Sequence, residues 1–243
     1  MPGKVALEFQ GAVAVMTIEN NGRLNAMDDK VASGLASGVI EAKARGDVGA
    51  LVIRGAGRDA FCAGVDLKFV AEFPDRAAGF ARVGANLDKF HATMAELPFP
   101  SIALIHGVCY GGGLHLAVTC DFRFAATSLR MVVPAVKNGL LYPIPALERL
   151  MALVGPARTR RLVLEGALFP PERLLQWGLI DELYAPDALD AATLEFAARL
   201  AAQPRAVMPA YMKILRAVEA GDIAGAQRLR EETRRATGKP DQG

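Results

Sequence analysis

Twice in this chain a strand-like apolar run gives way to small residues that leave the backbone uncovered. The run ALVIR (50–54) leads through a loop into FCAGVDL (61–67), and SIALIHGV (101–108) ends in CYGGGLH (109–115). A strand that opens into glycines and then a helix presents unpaired backbone N–H groups at the positive end of that helix. Without a Cβ, a ligand can approach such a backbone closely. Two amides aimed at one spot make an oxyanion hole, which stabilises charge on a carbonyl oxygen with no side chain involved. Both stretches can equally be read as tight connections, and the residues alone leave the two readings open.

Around these stretches the pattern alternates. VALEF and VAVMTIE, separated by QGA, read as a β-hairpin. Asn25 is expected to cap a helix with Asp28 and Asp29 in its first turn and Val31, Leu35, Val39 and Ala42 on one face. ALVIR is a short buried strand. Phe80, Val83, Leu87, Phe90, Met94 and Leu97 keep a helical spacing that LPFP ends. GGLHLAVTC is the helix beyond the glycines, and DFRFAAT and LRMVV are short strands. Helices PALERLMALVG and PARTRRLVLEG meet at Gly155-Pro156, and PPERLLQWG is another, with Pro171 in its first turn and Gly178 at its end. The reading is an α/β core over 1–185, a helical C-terminal subdomain over 186–236 and a disordered tail over 237–243.

Composition removes several classes of function. The net charge is +2, and the arginines of RTRR (158–161) and RLREETRR (228–235) sit in helix-like segments as solvated faces, so no nucleic-acid partner is expected. Three cysteines, Cys62, Cys109 and Cys120, lie in apolar settings, as in a reducing compartment. His91, His106 and His115 are not spaced as metal ligands, so no metal is expected. With no basic-then-apolar leader, the expected location is cytoplasmic. The apolar 101–120 segment is interrupted by three glycines and two histidines, which favours a buried strand, loop and helix over a membrane span. ALVIRGAGRDA has a dinucleotide-fingerprint look, but FCAG stands where the helix of that motif would run. Ser33, Ser101 and Ser128 lack the setting of a hydrolase nucleophile.

Taken together, FCAGVDLK, PFPSIALIHGVCYGGGLHLAVTCDFRFAA, NNGRLNAM upstream and PERLLQWGLIDEL downstream resemble the enoyl-CoA hydratase/isomerase (crotonase) superfamily, from about Val5 to about residue 235. The resemblance implies a ClpP/crotonase-like spiral of ββα units, assembly into homotrimers or homohexamers, and acyl-CoA thioester substrates, with coenzyme A entering as part of the substrate and no separate cofactor. It implies that the Val65 and Gly112 amides stabilise a thioester enolate. It further implies that Arg23, Leu24, Ala26, Ala63, Val65, Asp66, Leu67 and Gly112 hold the CoA thioester, with Arg23 and Lys68 near phosphates.

The chain also departs from that family. Hydratases carry two glutamates that handle water; His115 stands at the first position and Ala135 at the second. Without both carboxylates, activation of water and proton delivery lose their usual agents. His115 and Tyr142 are the remaining side-chain candidates, ahead of Asp66, Lys137 and Glu148, while Cys109 and Trp177 read as packing. The expected chemistry is isomerisation, decarboxylation or thioester cleavage rather than hydration, and the alternative is a non-catalytic acyl-CoA binding protein. The chain also stops near where relatives continue into a further C-terminal segment.

Overall fold

The computed structural model describes residues 2–238. Strands β1 (Lys4–Gln10) and β2 (Val13–Glu19) form the expected hairpin. Helix α1 (Asp29–Ala44) follows, then β3 (Ala50–Gly55), β4 (Ala60–Cys62), the one-turn helix α2 (Leu67–Val70) and the long α3 (Arg76–Met94). Next come β5 (Ser101–Ile105), β6 (Val108–Tyr110), α4 (Gly112–Thr119), β7 (Phe122–Ala126), β8 (Arg130–Val132) and α5 (Ile144–Arg160). Helix α6 (Pro171–Gln176), β9 (Glu182–Tyr184), α7 (Leu189–Ala201), α8 (Met208–Glu219) and α9 (Ile223–Thr237) complete the chain.

The strands divide into two sheets, β1-β2-β3-β5-β7-β9 and β4-β6-β8, parallel everywhere except the hairpin. Each of the pairs β3/β4, β5/β6 and β7/β8 places its first strand in the large sheet and its second in the small one, then passes into a helix. This is the spiral of ββα units. The small sheet escapes a reading by periodicity because its strands are three residues long, too short to display an alternation. The apolar run 101–108, which reads as one strand, is two strands broken at His106-Gly107, where Gly107 has φ +54°.

Helix α1 buries Val31, Leu35, Val39 and Ala42, the face its spacing predicts. Its cap is Asp28, whose carboxylate accepts from Val31 N, and not Asn25. Asn25 is instead a left-handed residue (φ 55°) whose side-chain amide donates to the carbonyls of Ala56 and Ala60, tying its loop to the β3–β4 connection. The helix over 144–160 breaks at Gly155 (φ 77°, ψ 166°), as the Gly-Pro step predicts, and α6 begins at Pro171.

Beyond residue 185 the helices divide into two groups. Leu189, Thr193, Ala197 and Ala201 of α7 are buried against the large sheet, forming with Val15, Val52, Ile102 and Phe124 a core on the face opposite α1. Packing therefore makes α7 a layer of the core, although it lies within the expected C-terminal subdomain. Helices α8 and α9 pack chiefly on one another. α9 reaches Thr237 and is capped by Gly238 in the left-handed conformation; the rest of the tail expected to be disordered, 239–243, lies outside the described residues. No helix among the described residues is long and apolar enough to cross a membrane.

Candidate active site

The two glycine stretches meet. Strands β4 and β6 are parallel neighbours, with Cys62 opposite Cys109, so the chain leaving each strand emerges on the same side of the small sheet. Three residues on from each cysteine stand Val65 and Gly112. A Cβ built on Gly112 would lie 3.5 Å from Val65 N, and one on Gly64 would lie 3.1 Å from Gly112 N, so both nitrogens border one small space. The approach is close because nothing but hydrogen fills it: a Cβ on Gly113 would stand 2.1 Å from the Cys62 carbonyl oxygen.

Neither amide has a hydrogen-bond partner among the described residues. The extended segment at Val65 pairs with Met27 through Met27 N to Gly64 O (2.7 Å) and Asp66 N to Met27 O (2.9 Å). That pairing uses the groups flanking Val65 and leaves its own N–H without a partner among the described residues. Gly112 opens α4, where the first N–H groups of a helix have no acceptor within it. Gly64, at φ +93°, turns the chain into this arrangement. Two unpaired donors, one at the positive end of a helix, are suited to an oxygen that gains negative charge.

The segments assigned to CoA are brought together beside this space. Ala63 N donates to Leu24 O (3.0 Å) and Ala26 N to Arg23 O (3.0 Å). Leu24 has φ 50°, a left-handed conformation that costs a branched residue about 1–2 kcal/mol, and the bonds from Ala63 and Asn25 hold it there. Leu24 and Leu67 are both about half exposed (46%). Asp66 is buried, caps α2 through Lys68 N and Phe69 N, and receives the Arg23 guanidinium at 2.5 Å. Arg23 is thus bound to a carboxylate, while Lys68 makes no ion pair among the described residues.

His115 lies one turn into α4. Its ring stacks on His91 of α3, with centroids 4.0 Å apart and planes at 18°, and the Tyr142 ring is 6.4 Å away. Thr119 Oγ1 donates to the His115 carbonyl (2.8 Å) and lies 3.0 Å from His91 Nδ1. Since the hydroxyl's one hydrogen is spent, His91 Nδ1 carries the proton and donates to it. Burial first, and then the neighbouring His91, pull the His115 pKa from 6.5 down to about 3; burial takes His91 to about 4. Both imidazoles are therefore neutral at neutral pH.

Tyr142 is nearly sealed, and its hydroxyl donates to the Gly111 carbonyl at 2.9 Å. That carbonyl also accepts His115 N (3.1 Å), so the phenol braces the turn that carries Gly112. Burial raises its pKa far above the ordinary value. Ala135 is buried in the core, Lys137 lies in a short 3-10 turn (Val136–Asn138), and Glu148 is exposed on α5. Cys62 and Cys109 are buried thiols, with burial pushing Cys62 up to about 12.

Sequence spacing does not bring out His91, Thr119, Arg149 or Arg216. They come from α3, α4, α5 and α8 and, with His115, line one cleft of about 300 Å³. Among the described residues no cluster of side chains suited to a metal occurs.

The family model described as enoyl-CoA hydratase/isomerase matches residues 8–237. The chain is 30% identical over 231 residues to "Probable enoyl-CoA hydratase EchA17" of Mycobacterium tuberculosis, covering 93% of this chain and 85% of that protein. It is 28% identical over 198 residues to the (E)-benzylidenesuccinyl-CoA hydratase of Thauera aromatica, covering 81% and 76%. Among solved structures, DspI of Pseudomonas aeruginosa superposes with a TM-score of 0.85 at 28% identity, over 97% of this chain and 88% of that one. With its crotonase fold and both glycine stretches inside the matched region, the chain belongs to the enoyl-CoA hydratase/isomerase family.

Proposed function

We propose that the protein is an acyl-CoA enzyme that holds the thioester oxygen on the Val65 and Gly112 amides and works through the resulting enolate by a route other than hydration. The observation that carries this reading is the pair of unpartnered amides bordering one space at the start of α4. Arg23, Leu24, Ala26, Ala63, Asp66 and Leu67 form the adjoining surface for the CoA moiety, with no other cofactor required.

The side chains support one-group chemistry. His115 is a single neutral imidazole with no hydrogen bond on its ring among the described residues. Such a group can take the α-proton of a 3-enoyl thioester and return it to the γ-carbon, leaving the conjugated 2-enoyl thioester. The imidazolium and enolate formed between these steps are opposite charges, which stabilise each other in a site of low dielectric. Decarboxylation of a malonyl-type thioester, which needs no base to form the enolate, ranks second, and thioester cleavage third. The names of the relatives speak for hydration, but no carboxylate stands at His115 or Ala135 to serve it.

Coupled assays with crotonyl-, 3-enoyl- and methylmalonyl-CoA separate these routes. Turnover of the 3-enoyl thioester that His115→Ala abolishes is the expected result. Rapid hydration of crotonyl-CoA that survives His115→Ala overturns the assignment, and acyl-CoA binding without turnover of any substrate leaves a binding protein. Assembly into a homotrimer or homohexamer belongs to the same proposal. It is supported by apolar side chains left open on one side of the fold, Leu141 (99% exposed) and Ile144 (65%), and light scattering tests it.

A further inference from the structure

We infer that the cleft beside His115 receives the far end of the acyl chain and is built to hold a carboxylate there, so that the preferred substrates are ω-carboxyacyl thioesters. This rests on the acyl-CoA reading above and narrows it. The cleft runs along α4 away from the glycine turn, from His115 past Thr119 to Asp121, between the end of α3, the start of α5 and the end of α8. Its walls are of two kinds. Met94, Ala95 and Pro145 supply apolar surface suited to methylene groups, and Arg149 and Arg216 supply two guanidinium groups.

Both arginines are held in place and keep donors to spare. Arg149 Nε donates to Val118 O (3.0 Å), and Arg216 Nη1 donates to Leu97 O (2.6 Å). A guanidinium has five N–H groups, so these backbone bonds fix each fork while leaving most of its donors for a ligand. Arg216 is partly withdrawn from water, which lowers its pKa and strengthens its pull on an anion.

Two acids share the cleft, and they differ. Asp121 is held by Ser101, whose N–H and hydroxyl both donate to Oδ2 at 2.7 Å, and its charge, like that of Glu219, acts on Arg216 against the effect of burial. Glu219 sits at the rim with a 62% exposed side chain and touches Arg149 through a long 3.3 Å contact. It shows that a carboxylate can be held at Arg149, and its exposure makes it the one that an incoming carboxylate can displace at little cost. The Val118 carbonyl that anchors Arg149 lies six residues beyond Gly112, ~9 Å along the helix axis, which suits an acyl chain of about eight carbons.

The test compares two thioesters of equal length, suberyl-CoA and octanoyl-CoA, by isothermal titration calorimetry on the full chain. Suberyl-CoA is expected to bind at least about tenfold more tightly. In Arg149→Met the preference should collapse toward parity. Because Arg149 also ties α5 to α4, Glu219→Gln at the exposed rim supplies an independent arm and should raise the preference for suberyl-CoA by about threefold. Equal binding of the two thioesters by the native protein overturns the inference and leaves the acyl-CoA reading standing. A preference that Glu219→Gln fails to raise removes Arg149 as the receptor and overturns it as well. Failure to bind either thioester removes the acyl-CoA reading and this inference with it.

Discussion

The imidazole of His115 lies flat against that of His91, 4.0 Å between centroids, and in the free protein, with no enolate to balance it, a proton on either ring charges a half-buried site beside its neighbour. Burial holds both rings neutral, and His91 adds to the effect on His115. Unfolded, both would titrate near 6.5; folded, they titrate at about 4 and about 3. In that interval the unfolded chain binds more protons, so stability is full above about pH 6.5 and is lost as the pH falls toward 4. Urea unfolding at about pH 7 and about pH 5 should show the midpoint dropping in acid, and His91→Phe should flatten that dependence. An equal slope in the variant would remove the pair as its cause.

Filling the space between the loops should stop catalysis without unfolding the protein. In Gly112→Ala the new methyl would stand 3.5 Å from Val65 N and 2.8 Å from Met27 Cε, the movable end of a flexible chain. Turnover should fall by about a hundred- to a thousandfold, the range for losing one oxyanion donor, with little change in Tm. Gly113→Ala provides the contrast. Its methyl meets the Cys62 carbonyl at 2.1 Å, so the backbone must move and stability should fall by about 1–3 kcal/mol.

Tyr142→Phe distinguishes a brace from a proton donor. The hydroxyl is given to the Gly111 carbonyl, so its loss should cost about 1 kcal/mol of stability. As a brace, it should lower kcat less than about tenfold, through a looser glycine turn. A thousandfold loss of kcat with Tm unchanged would instead place the phenol in the proton transfer itself.

Asn25→Ala should destabilise strongly although Asn25 is not a helix cap. The side chain ties Ala56 O and Ala60 O to its own loop and accepts from Asn20 N. Its removal leaves buried carbonyls without donors, and alanine tolerates the left-handed backbone poorly, together about 2–4 kcal/mol. Thermal unfolding measures this. The KM for acyl-CoA should rise in the same variant, because Leu24 and Ala63 lose their mutual register.

Much of this arrangement was legible in the letters. The alternation of the hairpin, the buried face of α1, the break at Gly155-Pro156 and the two strand-to-glycine steps each express a local rule, in which a period or a permitted φ is set by neighbouring residues. Where two local rules competed, the letters misled: Asn25 and Asp28 are both good caps, and only the carbonyls of Ala56 and Ala60, some thirty residues away, take Asn25 out of contention. The strands β4 and β6, and β9 after Gly178, are too short to carry a period and exist because a neighbouring strand supplies their hydrogen bonds.

By itself, then, the sequence carried the resemblance to the family in its motifs, and it determined the order of most elements and the two glycine turns, because these last follow from side-chain size and spacing along the chain. Only the tertiary structure decided that Val65 N and Gly112 N share one space, that Tyr142 is spent on Gly111, and that His91, Arg149 and Arg216 join His115 in a cleft. Those relationships connect residues 24 to 101 positions apart, and the pairing of β4 with β6 and the placing of α3, α5 and α8 beside α4 create them; nothing in the spacing along the chain does.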